Sequence, residues 1–305
     1  MLKNEIKDTI INIENKNGTK LIKKKIILPF NEKTLLSQHN YINYLYSKKI
    51  NVAKITKLFK IDNYFYECQE YIENNKKDYK INGLIKALAI FHNESSKYRK
   101  SLNKKNVYDF DFFCKQNKLH HLLLGYSEKY QIYPLQNYLK NKKYIDISNI
   151  EISEKIISFY KKSYEYILKN HNIKSCIIHN DITKNNVINN KNGLYLIDFD
   201  LCTYSLELVD IVDAIMIPYD NLESIIASID KWDTNFIRYI VTYNKYNHNI
   251  KINIKDIYYQ IILKLVSFNY YVILNESSKK EFNQNIKYLY IVIEKIKEKI
   301  ENVDC

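Results

Sequence analysis

One stretch, Ser175 to Asp200, constrains the fold of this chain more than any other. It reads as a short apolar strand, a polar loop from His179 to Asn186, and two further strands joined by an Asn- and Gly-rich turn. The second of those strands ends directly before Asp198. A hairpin with this order brings the polar loop and the end of its last strand together, so we expect Asp181, Asn186 and Asp198 to be neighbours.

These three side chains are of the types that magnesium and phosphate chemistry use. Mg²⁺ takes oxygen ligands, often only one or two carboxylates beside substrate phosphates, and Asp198 and the side-chain oxygen of Asn186 can supply two. Asp181 remains free to orient a hydroxyl group and accept its proton. Phosphoryl transfer needs this combination, since positioning and charge neutralisation do most of its catalysis. The alternative is an accidental His-x-Asp with solvated acids, but the spacing, the turn and the final Asp-Phe-Asp agree with one another.

The same residues resemble the catalytic and metal loops of the aminoglycoside phosphotransferase and choline kinase superfamily, distant relatives of protein kinases. His179, Asp181 and Asn186 match the family pattern H-x-D-x-x-x-x-N, and Ile197 to Asp200 match its I-D-F-D/E pattern. The similarity continues through Leu208 to Ala214, which is similar to the start of the family's short Asp-containing helix. In overall texture the chain is most similar to the spore-coat-associated kinase-like branch of that superfamily.

The resemblance implies an α+β chain with a two-lobed, protein-kinase-like fold. Residues 1–73 would form a small antiparallel β N-lobe with one helix, and residues 74–305 a larger, mainly helical C-lobe. Local patterns support both halves. Asn17-Gly18 is a strong hairpin turn before a strand at Leu21 to Leu28, and Ile81 to Ala89 carries an apolar stripe of helical period.

The nucleotide side is assigned from the resemblance. The strand from Leu21 to Leu28 would carry the lysine that steadies the α and β phosphates of ATP. Alternation places Lys23 and Lys25 on the same face as Leu21, so we assign Lys23, with Lys25 in reserve; the alternative is that these lysines are all solvated. The hinge, whose backbone would meet adenine, is expected at Glu70, Tyr71 and Ile72.

Further roles around the loop also follow from the resemblance. His179 would brace the catalytic loop against the metal loop, and Asp200 would add a second metal contact or cap the turn. Asp210, in preference to Asp213, would accept hydrogen bonds from the catalytic-loop backbone. His92, in a helix similar to the family's Leu-Ala-x-Leu-His helix, is expected to be structural.

Two features depart from the family pattern. Kinases place a glutamate on the first helix to hold the phosphate lysine, whereas the matching turn here has Gln38 and His39. A Gly-rich phosphate loop is also missing from the sequence, so the N-lobe looks trimmed. These departures keep a second hypothesis open: a catalytically weak or inactive kinase-fold protein with a structural or binding role, such as a spore-coat component.

Composition bounds the partners and the compartment. The formal net charge of +13 favours anionic partners, but the lysines are scattered and no nucleic-acid motif is present, so RNA binding is only a third hypothesis. Five cysteines without disulfide or metal spacing fit a reducing compartment. The start of the chain is polar, and the apolar stretch Ile257 to Leu274 is interrupted by polar residues. We therefore expect no membrane span and a cytoplasmic location, with spore association as the alternative.

The leading hypothesis is an ATP- and Mg²⁺-dependent kinase that phosphorylates a hydroxyl group of a small molecule, such as a sugar, an aminoglycoside or an amino alcohol. Asp181 would be the base and Lys23 the phosphate lysine. The segment Asn106 to Tyr144, expected to form two helices with an insert, and the mainly helical region from Asn221 to Asn302 would shape the acceptor pocket. His120-His121 lacks a partner at metal-ligand spacing and is assigned no metal.

Overall fold

The structure is a computed structural model that describes residues 11–16, 19–26, 32–74, 78–101, 142–171, 176–271 and 279–303. Its N-terminal part contains a four-stranded antiparallel sheet with strand order β1-β2-β4-β3. One helix, α1 (Glu32–Ser47), follows the second strand. The strands are β1 Ile11–Lys16, β2 Thr19–Ile26, β3 Ile55–Ile61 and β4 Tyr64–Glu70.

The rest of the described chain is mainly helical and contains two short antiparallel strand pairs, β5 with β8 and β6 with β7. The strands are β5 Cys176–Ile178, β6 Val187–Asn190, β7 Gly193–Leu196 and β8 Thr203–Ser205. The helices are α2 Ile81–Ser101, α3 Ile147–Asn170, α4 Leu208–Met216, α5 Leu222–Ser228, α6 Trp232–Tyr246, α7 Ile254–Tyr271 and α8 Lys279–Asn302. Short 3-10 turns lie at Lys142–Tyr144, Phe199–Leu201 and Ile229–Lys231. The expected α+β class is confirmed.

Helix α4 is fully buried within the helical part. All nine of its residues are buried, and it lies against α2 and α7. A helix that is apolar on every side belongs in a core, yet α4 also carries two acids, Asp210 and Asp213. Two buried carboxylates on such a helix need partners, and both find them close to the loop between β5 and β6.

The sheet and the helical part are joined by backbone contacts beside the β6–β7 hairpin. Leu196 donates its N–H to the carbonyl oxygen of Asn51 at 3.0 Å, and Val52 forms an isolated parallel bridge with Leu196. The side chain of Asn190, on β6, donates to the carbonyl oxygen of Glu73 at 2.7 Å. The chain after α1 and the segment after β4 are thus both fastened to this hairpin.

Several expectations fall outside the described residues. These are the Asn17-Gly18 turn, His120-His121, and most of the segment Asn106 to Tyr144. Within the described part, the helix expected at Ile257 is α7, and none of the helices is long and apolar enough to cross a membrane. Three described cysteines, Cys68, Cys176 and Cys202, are buried and form no disulfide bond.

Candidate active site

The loop between β5 and β6 holds Asp181 and Asn186 in direct contact. The side-chain Nδ2 of Asn186 donates to Oδ2 of Asp181 at 2.7 Å and to the Asp181 carbonyl oxygen at 3.0 Å. Both donor hydrogens of the Asn186 amide are thereby used, so its oxygen is left for another partner. This arrangement fixes the orientation of the Asp181 carboxylate and presents one neutral oxygen ligand beside it.

Backbone geometry brings Asp198 to the same place. The N–H of Ile197 donates to the carbonyl oxygen of Asn186 at 3.0 Å, so the residue after Ile197 begins next to the catalytic loop. Asp198 has a left-handed backbone, with φ 63° and ψ 67°. Such a conformation is costly for a residue with a side chain, and it persists where surrounding contacts fix it, often at functional sites.

His179 joins the two loops. Its Nε2 donates to the carbonyl oxygen of Ile197 at 2.8 Å, and its ring packs on Phe199 with centroids 4.5 Å apart. The side chain is fully buried. His179 therefore has the position of a brace between the loops and not of a group that reaches substrate.

Asp210, at the start of α4, lies beneath the catalytic loop. Its two carboxylate oxygens accept from the backbone N–H groups of His179 and Asn180, each at 2.7 Å. The buried ring of His92 lies 3.0 Å from the same carboxylate through Nε2, and its Nδ1 lies 2.9 Å from the hydroxyl of Tyr243. This buried network holds the loop from below, whereas Asp213 pairs with Lys264 on α7.

The lysine of β2 that reaches Asp198 and Asp200 is Lys24, whereas the face predicted to be inward was that of Lys23. The Nζ of Lys24 lies 2.6 Å from Oδ1 of Asp198 and 2.7 Å from Oδ2 of Asp200. Lys23 lies on the opposite face of the sheet, over the rings of Phe59 and Tyr66. The reserve residue lies there too: the Nζ of Lys25 is 3.4 Å from the ring centroid of Tyr64.

The error has a physical origin in the composition of β2. Apolar residues occupy both faces of this strand, so alternation shows two faces but does not say which one is inward. The structure turns Lys24 and Ile26 into the interior and leaves Leu21 half-buried. A strand that is apolar on both faces leaves its register to its neighbours.

Burial and the three acids around Lys24 set the charges of this cluster. Burial opposes the charge of Lys24, but the carboxylates of Asp200, Asp198 and Glu67 raise its pKa above the usual range. Burial by itself would raise the pKa of Asp198, but the Lys24 ammonium lowers this pKa below its usual range. Burial raises the pKa of Asp200 to about 6 even though Lys24 opposes the shift. The cluster therefore consists of the Lys24 ammonium among three carboxyl groups, and one of these, Asp200, is protonated more readily than an ordinary aspartate.

The surroundings of Asp181 shift its pKa upward. Burial raises its pKa, and the negative charge of Asp198 adds to the effect. His179, the hydrogen bond from Asn186 and Lys264 act in the opposite direction. A general base is most effective when its pKa lies near the working pH, and the raised value moves Asp181 that way.

Sequence reasoning missed Glu67, on β4. This residue is 3 % exposed and stands directly opposite Lys24 in the β2–β4 pairing. Its Oε2 lies 3.0 Å from Nε2 of His39 on α1, and Oε1 accepts from the side chain of Gln69 at 3.2 Å. The sequence signal was an acid in the middle of a strand with apolar neighbours, because such a buried carboxylate needs a cation or a hydrogen-bond donor nearby. Gln38, the other residue at the expected glutamate position, lies 3.5 Å from Asp200.

Part of the expected hinge is already engaged within the sheet. The N–H groups of Glu70 and Tyr71 donate to the carbonyl oxygens of Lys54 and Lys20 at 2.9 Å and 3.1 Å. These two amides are not free for adenine. Ile72, 7 % exposed, is the next residue along the segment.

The donor set fits a magnesium ion shared with phosphate. Asp198 has a side chain that is 42 % exposed, Asp200 lies beside it, and Asn186 has an uncommitted amide oxygen; these are hard oxygen ligands. Among the described residues no group of three or more His, Cys, Asp or Glu side chains could hold a metal by itself. Asp198 and Asp200 line a small cleft together with Gln38 and Glu67.

Comparison with known proteins agrees with this geometry. Residues 138–238, which include the catalytic loop, the metal loop and α4, match the model of the phosphotransferase enzyme family, APH. The match confirms the resemblance to phosphotransferases. None of the curated protein sequences is similar enough to this chain to count as a relative. The family match does not single out the spore-coat-associated branch.

Solved structures extend the comparison from the family segment to the whole fold. Amicoumacin kinase hAmiN, solved with AMP-PNP, Ca²⁺ and Ami, is 13 % identical, and the similarity covers 92 % of this chain and 85 % of that one, with a TM-score of 0.58. The choline kinase LicA from Streptococcus pneumoniae is 13 % identical over 94 % of this chain and 89 % of that one, with a TM-score of 0.49. The similarity to the amicoumacin kinase shows that the phosphotransferase segment sits in a kinase-like fold.

Proposed function

We propose that this protein is an ATP- and Mg²⁺-dependent phosphotransferase that acts on a hydroxyl group of a small molecule. The observation that carries the proposal is the convergence of Asp181, Asn186, Asp198 and Lys24: Asn186 bonds Asp181, Ile197 bonds the backbone of Asn186, and Lys24 bonds Asp198. Base, metal ligands and phosphate cation come from three separate parts of the chain and meet where the family segment has its two loops.

Each residue has a role that follows from its contacts. Asp181, oriented by Asn186, accepts the proton of the acceptor hydroxyl as its oxygen approaches the γ-phosphorus. Asn186 and Asp198, with Asp200 beside them, hold the metal, which neutralises phosphate charge when bound. Lys24, in place of Lys23, binds the α and β phosphates. His179 joins the two loops through the carbonyl oxygen of Ile197, and Asp210 holds the backbone of the catalytic loop.

The adenine side follows from the hinge segment. Since the amides of Glu70 and Tyr71 are engaged in the sheet, we assign adenine recognition to their carbonyl oxygens and to the backbone of Ile72. Sugars, aminoglycosides and amino alcohols remain the candidate acceptors. The similarity in fold to the amicoumacin kinase supports the proposal of a small-molecule acceptor.

Catalysis is favoured over a purely structural role by the acids around the lysine. The absence of a helix glutamate argued for weak or lost activity. Glu67 lies buried opposite Lys24 and supplies a carboxylate from the sheet, so the lysine is not without an acidic neighbour. A structural protein has no need of a left-handed Asp198 next to an oriented Asp181.

The test is a pair of measurements on the wild type, Asp198→Ala and Asp181→Asn. Mg²⁺-ATP should raise the thermal midpoint of the wild type by mass action, and Asp198→Ala should abolish the Mg²⁺-dependent part. Asp181→Asn should keep nucleotide binding but lose phosphorylated product in a screen of hydroxyl acceptors. The exposed Asp230, paired with Lys295 on the surface, provides the control Asp230→Asn. No midpoint shift at millimolar nucleotide would reject the proposal.

A further inference from the structure

A buried charged cluster extends from the site into the sheet and reaches α1. Lys24, Glu67 and His39 are 6 %, 3 % and 5 % exposed. Glu67 stands opposite Lys24 across the β2–β4 pairing, and both of its carboxylate oxygens are held, by His39 and by Gln69. Lys24 itself turns its Nζ the other way, to Asp198 and Asp200.

This arrangement places the lysine on the oxygens that a metal would use. The Lys24 ammonium and a divalent cation would compete for Oδ1 of Asp198 and Oδ2 of Asp200, because two cations on one oxygen atom repel each other at short range. Lys24 therefore has to give up at least part of these contacts when a metal–nucleotide complex enters. A buried ammonium that loses its counter-charge is strongly penalised, so the site needs a second anion within reach.

We propose that Lys24 exchanges partners when a metal–nucleotide complex binds. Its ammonium group moves away from Asp198 and Asp200 and pairs instead with the nucleotide phosphates and Glu67. The proposal rests on the proposed function, since it takes the ligand to be a metal–nucleotide complex. Glu67 is a positioning residue: it touches no substrate and acts through Lys24. Its carboxylate replaces, from β4, the acid that is absent from α1.

His39 and Gln38 connect helix α1 to the acids on both sides of the exchange. It lies on α1 and holds Oε2 of Glu67 at 3.0 Å, so the helix is fastened to the carboxylate that receives the lysine. The preceding residue, Gln38, lies 3.5 Å from Asp200, one of the acids that the lysine leaves. Helix α1 therefore contacts both ends of the exchange, and its position is coupled to the position of the ammonium group.

The exchange makes a prediction that a packing role for Glu67 does not make. Without metal, Lys24 can stay with Asp198 and Asp200 whatever residue stands at 67. With metal it cannot. Glu67→Gln should therefore weaken nucleotide binding with Mg²⁺ by roughly tenfold, the order of one charge-assisted hydrogen bond, and change binding in EDTA by much less.

The experiment is calorimetric titration of ATP with Mg²⁺ and with EDTA. The variants are Glu67→Gln, Glu67→Asp, His39→Leu, and Glu67→Gln in a Lys24→Met background. In the Lys24→Met background the Glu67 effect on the metal dependence should vanish, because the two residues act as one unit. Glu67→Asp, which keeps the charge, should fall between wild type and Glu67→Gln and replaces it if Glu67→Gln does not fold.

The matched control is another buried histidine–carboxylate pair outside the site. His171 Nε2 lies 2.9 Å from Oδ1 of Asp256, with side chains that are 8 % and 1 % exposed. Asp256→Asn should lower thermal stability without changing the ratio of the dissociation constants with and without Mg²⁺. If Glu67→Gln leaves that ratio as Asp256→Asn does, or if its effect persists in Lys24→Met, the exchange is overturned while the proposed function stands. If the wild type binds no nucleotide, the proposed function fails first.

Discussion

Lys24 Nζ lies 2.6 Å from Oδ1 of Asp198 and so joins the second strand of the sheet to the metal loop. The contact shows which face of β2 turns toward the candidate site. It also makes the sheet part of that site, because Lys24 lies on β2 and Asp198 in the loop that follows β7.

The register of β2 predicts an asymmetry between adjacent lysines. Lys24→Ala should weaken Mg²⁺-ATP binding by about ten- to a hundredfold, since a hydrogen bond to a charged group is worth roughly 1.5–3 kcal/mol. Lys23→Ala should have little effect because Lys23 lies over Phe59 and Tyr66 on the far face. Titration of both variants gives the comparison. Equal losses would contradict the register.

Asp200 predicts a pH dependence of the metal-free protein. Its folded-state pKa of about 6 lies above the ordinary aspartate value of 3.8, so between these values the folded state holds a proton that the unfolded state has lost. The free energy of unfolding then decreases as pH rises through this window. Asp200→Asn should therefore stabilise the protein in EDTA at pH 7.5 relative to wild type, and by less at pH 4.5. Denaturant titrations at both pH values measure this, and a larger gain at pH 4.5 would reverse the sign.

Asp210 predicts a loss of both stability and turnover without loss of nucleotide binding. In Asp210→Asn one carboxylate oxygen becomes an NH₂ group facing a backbone N–H of the catalytic loop. An unpaired buried donor costs about 1–3 kcal/mol. Product formation should fall because the loop carries Asp181. Asp230→Asn, at an exposed ion pair, should stay within about 0.5 kcal/mol of wild type; a similar cost there would indicate a general effect of the substitution.

Lys264 predicts a shift in the pH profile of the reaction. Burial raises the pKa of Asp181, and Lys264 is among the charges that counter this. Lys264→Met should raise the pKa of Asp181 further, so the acid limb of kcat/KM should move to higher pH. The control is Lys299→Met, which breaks the ion pair with Asp233 elsewhere in the helical part. An unchanged acid limb in Lys264→Met would show that Lys264 does not influence the pKa of Asp181.

The loops could be predicted from the sequence because their information is local, and the fold class followed from the family resemblance that these loops carry. The spacing from His179 to Asn186 and the turn before β7 specify a hairpin whose geometry follows from short-range chemistry. The three-residue strand β8, Thr203–Ser205, was not foreseen, since so short a strand exists only through its pairing with β5.

The register of β2 and the role of Glu67 could not be predicted because both depend on tertiary pairing. Lys24 and Glu67 are partners across two strands that are more than forty residues apart in sequence, and neither strand shows which of its faces is inward. In the sequence, His39 stood at a helix position where kinases have a glutamate, with no evident partner. Its use became visible only when α1 lay against β4.

The backbone bridge between Val52 and Leu196 has a mechanical consequence. It ties the segment between α1 and β3 to the hairpin that precedes Asp198. The N–H of Ile197 also bonds the carbonyl oxygen of Asn186, so the spacing between Asn186 and Asp198 is set within one short piece of chain. A displacement of the sheet that carries this piece with it would leave that spacing unchanged.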